Sequence, residues 1–90
     1  MATSDGIEVE TTLRALLADT LGLPLSRIAK FGEATELFGA LPEFDSMAVA
    51  TLLTGIEELF AVLIEDDDVE AADFATFGTL LAFVRRKVLR

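Results

Sequence analysis

Apolar residues recur at three- and four-residue steps in three separate stretches of the chain. In the first, Val9, Leu13, Leu16, Leu17 and Thr20/Leu21 share a face, and Gly22 then Pro24 end the pattern. The second begins at Ser46, where Val49, Leu52, Leu53, Ile56, Phe60 and Leu63 form one stripe behind Asp45, a natural N-cap. The third carries Phe77, Leu80, Leu81, Val84 and Val88 on one face, with Thr76 as its cap. It closes on "RRKVLR", cations that complement the negative pole of a helix. Between the last two, "EDDDVEAADFA" has room for one short helical turn with Val69 and Phe74 facing inward. No stretch alternates apolar and polar residues between hairpin turns, so strands are not expected. The pattern predicts an all-α fold: a small four-helix bundle of three main helices and one short helix, with a long first connection.

That connection, residues 22–45, is longer than compact domains usually carry without a function or short turns of its own. Leu25, Ile28, Phe31, Leu37, Phe38 and Leu41 give it enough apolar side chains to lie across the bundle as an ordered strap. It delivers the chain to Ser46 at a tip of the molecule.

Composition sharpens this picture. Ninety residues make a single domain, 1–90, with ends expected to fray over about residues 1–6 and 88–90. The chain is 52% hydrophobic, which excludes disorder, and has seven Phe but no Trp or Tyr. Phe31, Phe38, Phe60, Phe74, Phe77 and Phe83 are most simply core, or in part the lining of a cavity. There is no Cys and no His. Disulfides, thiolate nucleophiles, Cys-type zinc sites and Ser/His/Asp or Cys/His arrangements are thereby excluded. An enzyme is not expected, and a hydrolase built on Glu43 and Asp45 would have nothing but carboxylates to work with.

The net charge of −9 is unevenly spread. From Glu43 to Asp73 acids occur without any Lys or Arg, whereas Arg85, Arg86, Lys87 and Arg90 crowd the C-terminus. Such a field repels nucleic acid and anionic membranes and attracts basic protein surfaces. The run Asp66, Asp67, Asp68, Glu70 lacks the alternating ligands and glycine of an EF-hand loop, so it reads as a solvated turn and no metal site is expected. "MATSDGIEVE" has neither a basic n-region nor an apolar h-region, and the longest apolar stretch is interrupted by Glu57 and Glu58. A cytoplasmic protein without signal peptide or membrane insertion is the expectation.

One hydroxyl stands out. Ser46 precedes the second stripe, in the first helical turn, where free backbone N–H groups favour an anion such as a covalently attached phosphate. A phosphodiester there would carry a thiol arm and supply the sulfur that the sequence lacks. The plain alternative is a Ser that serves only the helix end.

"EFDSMAVATLLTGIEELF" resembles the phosphopantetheine attachment region of acyl carrier proteins, whose signature is Asp-Ser-Leu or Asp-Ser-Met opening the second helix. The likeness continues through "AVLIEDDDVEAADFATFGTLLAFV" and takes in the first helix and long loop, so it covers nearly the whole chain. It implies 4′-phosphopantetheine on Ser46, with acyl or aminoacyl groups carried on its thiol as thioesters between the enzymes of a biosynthetic pathway. It also implies that Asp45 helps position the transferase and Ser46, and that Met47 is an apolar contact. The implied partners are a phosphopantetheinyl transferase, an acyl-loading ligase and acyl-transferring enzymes, met by a monomer. "LPEFDSMAV" is further similar to bacterial carriers associated with exosortase and exopolysaccharide loci, which implies a dedicated pathway.

The chain departs from the family pattern at Glu43, where a glycine is common, and at Ala48 and Thr51, where fatty-acid-type carriers usually have acids. Partner contacts are therefore expected from an apolar patch of Phe44, Met47, Ala48 and Ala50, and from acids shifted to the far end, Glu57, Glu58, Asp66 and Asp67. The rival reading is an unmodified acidic helical module that binds a basic partner.

Overall fold

A computed structural model describes residues 5–88, with side chains from residue 9 onward. Four α-helices occur in chain order: α1 (Asp5–Leu21), the single turn α2 (Leu25–Ile28), α3 (Ser46–Phe60) and α4 (Phe77–Val88). Two 3-10 turns, Asp66–Asp68 and Ala71–Phe74, join α3 to α4 where the sequence pattern predicted one short helix. Among the described residues there is no strand, only one bridge between Glu36 and Thr76. The predicted all-α bundle is what forms. Of the ends expected to fray, residues 5, 6 and 88 are helical and the others lie outside the described residues.

The three stripes meet in one core. Leu13 and Leu17 of α1, Leu52 and Ile56 of α3, and Leu80 and Val84 of α4 are all fully enclosed. At Gly55 α3 has Leu16 of α1 directly against its backbone: a Cβ there would stand 2.7 Å from Leu16 Cδ1. Gly22, at φ 69, ends α1 in the left-handed conformation that glycine adopts without steric cost. Leu23 N–H then turns back onto the Ala18 carbonyl at 3.0 Å, the bond of a Schellman stop.

α3 ends one turn before the pattern expected. Ala61 takes up the left-handed conformation at φ 56, and Val62 N–H bonds back to the Glu57 carbonyl. Leu63 therefore lies outside the helix and is exposed, not part of the stripe. The Glu57 carboxylate completes the stop by accepting from Ile64 N–H at 2.8 Å.

Arg14 ties the first part of the strap to α1. From α1 its guanidinium donates to the carbonyls of Ile28 (2.7 Å) and Phe31 (3.0 Å), while Glu10 holds it from behind. It also lies 4.4 Å over the Phe77 ring, so one side chain ties α1, the strap and α4 together. Further along, strap carbonyls satisfy N–H groups that the start of α4 cannot pair internally. Phe77 N–H donates to Thr35 O, and Gly78 N–H to Glu33 O. Thr76 caps α4 as predicted, its hydroxyl accepting from Thr79 N–H.

Candidate functional site

The strap ends at Asp45, which sits in extended backbone (φ −99, ψ −174) and accepts from Ala48 N–H at 2.9 Å. It is the N-cap that the sequence indicated. Val49 N–H makes the first bond of the helix, to the Asp45 carbonyl. The amides of Ser46 and Met47 are left without an acceptor among the described residues, pointing from the positive end of α3. Ser46 and Asp45 are both exposed, and Met47 is 76% exposed.

The buried row of α3 runs through Ala48, Leu52 and Ile56, one position earlier than Val49. This rotation places Val49 and Leu53 at the edge of the core, where they line a cleft with Ser46 at its rim. The opposite wall is Val69, Glu70, Ala71 and Phe74 from the acidic connection, and Phe38 of the strap closes one side. The cleft has a volume of about 270 Å³. Flanking ion pairs hold its far wall to α4: Asp68 with Lys87 at 2.8 Å and Asp73 with Arg86 at 3.5 Å.

Of the residues expected at the partner surface, two are not on it. Phe44 is only 2% exposed and Ala48 only 8%. Phe44 packs edge-on between Phe38 and Phe74, and Ala48 heads the buried row, so the proposed four-residue apolar patch reduces to Met47 and Ala50. Conversely Phe38, read as core, is 45% exposed, and Phe60 is half-buried at the end of α3. Glu57 is half-buried with one carboxylate oxygen committed to Ile64, whereas Glu58, Asp66 and Asp67 are exposed. Glu43 faces Arg27 at 3.9 Å, and the Asp45 oxygen is engaged in the cap, so the two do not flank a common reaction site.

Sequence patterning gave no sign of Arg14, whereas Val69 and Phe74 of the cleft's outer wall do face inward as the pattern indicated. The one available signal for Arg14 was a cation set among the apolar positions of the first stripe. No helix among the described residues is long and apolar enough to cross a membrane.

The whole arrangement has a counterpart among solved structures. The holo acyl carrier protein of Nitrosomonas europaea, determined by NMR in solution, superposes with a TM-score of 0.78 at 36% sequence identity, over 91% of this chain and 96% of that one. This chain belongs to the acyl carrier protein family. No family model matches the sequence. The exposed Ser46 thus stands beside an apolar cleft and two amides that find no acceptor among the described residues. The amides and the helix pole suit the phosphate of a phosphopantetheine arm, and the cleft suits an apolar group at the arm's far end.

Proposed function

We propose that this protein bears 4′-phosphopantetheine on Ser46 and shuttles acyl or aminoacyl groups between the enzymes of a biosynthetic pathway. When bound, the arm supplies the thiol on which the cargo rides as a thioester. The chain's own residues do the holding. The Ser46 oxygen would be the point of attachment, the Ser46 and Met47 amides would be available to the phosphate, and Val49, Leu53, Val69 and Phe74 would offer the cargo an apolar shelter. No bond is made or broken by the protein itself. The observation that carries the reading is an exposed hydroxyl at the rim of that cleft, in a chain of this family.

Asp45 and Met47 are proposed to position the transferase, Met47 as an exposed apolar contact beside the attachment point. Glu58, Asp66 and Asp67 are proposed as the acids that meet basic partners, a transferase, a loading ligase and acyl-transferring enzymes. A single cytoplasmic domain acting as a monomer completes the proposal, and "LPEFDSMAV" supports a dedicated pathway over general lipid synthesis.

Intact-mass measurement after co-expression with a promiscuous phosphopantetheinyl transferase tests it. The wild type should gain the mass of one arm and Ser46→Ala none. A wild type that stays unmodified would return the protein to the rival class of acidic interaction modules.

A further inference from the structure

The cleft beside Ser46 adjoins a second hollow, and Phe38 is the residue that their linings share. Phe38 lines the cleft, and it also lines a neighbouring hollow of about 460 Å³ with Glu36, Gly39, Ala40, Ala75 and Thr76. The ring stands edge-on to Phe44 at 6.2 Å, and Phe44 stands edge-on to Phe74 at 6.1 Å. The backbone beneath it is fixed without help from the ring. Leu37 N–H and Phe38 N–H donate to the carbonyls of Ala75 and Phe74, at 2.9 and 3.1 Å. Gly39 then turns the chain aside at φ 92, a conformation that suits glycine.

We propose that Phe38 is the residue that sets how long an acyl chain the cleft can shelter, by closing the cleft off from the second hollow. The inference rests on the carrier reading above. A saturated chain gains stabilisation with every methylene it withdraws from water, until it meets something that does not yield. Phe38 is 45% exposed but set edge-on against buried Phe44, and moving the ring off that neighbour forfeits the contacts on that side. With the ring in place the tail of a longer chain turns out to solvent. Without it, the chain continues over Ala40 and Ala75.

The test loads Ser46 with saturated acyl arms of increasing length, using acyl-coenzyme A donors and a promiscuous transferase. Intact mass verifies each arm, and the melting temperature is read against chain length. The wild-type melting temperature should climb with each methylene and then level off. In Phe38→Ala the levelling point should move to chains longer by about two methylenes. Refilling the hollow with Ala40→Leu on that background should bring it back. Phe38→Leu keeps part of the contact with Phe44, gives a smaller shift in the same direction, and carries the test should the alanine variant fail to fold.

A levelling point unmoved by either substitution overturns the inference. So does one that moves but ignores Ala40→Leu, which would mean general loosening. Absence of any added arm on the wild type is a different failure, of the carrier reading itself.

Discussion

Asp45 and Ser46 are neighbours whose side chains serve different ends, and substitutions can separate them. The Asp45 carboxylate satisfies an orphan amide of α3, so Asp45→Ala should lower stability by about 1 kcal/mol. Asp45→Asn keeps an oxygen in the same place and should retain most of that stability. If the charge also serves the transferase, the Asn variant should accept the arm more slowly than wild type despite its intact cap. Urea midpoints beside a time course of intact mass would show the split, and equal modification rates would confine Asp45 to capping. Ser46 makes no bond that the fold needs, so Ser46→Ala should change stability by no more than about 0.5 kcal/mol.

Arg14 illustrates what a single residue can hide. Its replacement by Met keeps the apolar stem but leaves the carbonyls of Ile28 and Phe31 without their donors, at a cost of about 2 kcal/mol. Arg14→Lys should recover only part of the loss, since an ammonium cannot reach two divergent carbonyls as a guanidinium fork does. Equal denaturation midpoints for all three proteins would show that the strap is held by its apolar residues alone. At this scale the sequence was legible where one residue type has one local job, as at Asp45, Thr76 and Gly22. It was not legible where the job depends on a distant partner. Nothing near Arg14 in the chain names Ile28 or Phe31, and nothing near Phe44 distinguishes a surface ring from one enclosed by Phe38 and Phe74.

At the scale of elements, periodicity located α1, α3 and α4 because each must bury one stripe, and a stripe is written at fixed spacing. It misjudged where α3 stops, and its stripe, which held the fully buried Leu52 and Ile56 with Val49 and Leu53 at the core's edge, missed Ala48. Val49 and Ala48 differ by a hundred degrees of helix, and which of them the core encloses depends on how α3 is turned against its neighbours, α1 foremost, which spacing within α3 does not state. The stop is set by Ala61, a residue that gives no helix-ending signal. Holding alanine in the left-handed conformation carries a steric penalty that glycine escapes. Ala61→Gly should therefore stabilise the protein, by about 0.5–1 kcal/mol. An upward shift of the thermal midpoint with an unchanged helical circular-dichroism spectrum is the expected result. A downward shift would indicate that the Ala61 methyl group contributes more through packing than its backbone conformation costs.

For the whole molecule, charge acts in two directions at once. Sixteen acids face seven bases, and the five ion pairs among the described residues are all partly open to water. Pairs of that kind contribute about 0–1 kcal/mol each. Repulsion among the remaining acids spans a body whose radius of gyration is 12.2 Å, close to the screening length of about 10 Å at 0.1 M salt. Below that ionic strength most of the excess negative charge acts on itself across the fold. Raising sodium chloride from a few millimolar (about 5 mM) to about 0.15 M should therefore raise the melting temperature, because screening removes more repulsion than attraction. Over the same range, association with a basic partner through Glu58, Asp66 and Asp67 should weaken, chiefly through a slower encounter. The opposite signs make this a demanding prediction, measurable by calorimetry on the isolated protein and by stopped-flow with a loading enzyme. If salt destabilised the fold, the ion pairs of α4 with Asp68, Asp73 and Glu10 would outweigh the net charge. If salt left the association rate unchanged, Met47 and Ala50 would have to carry recognition by apolar contact alone.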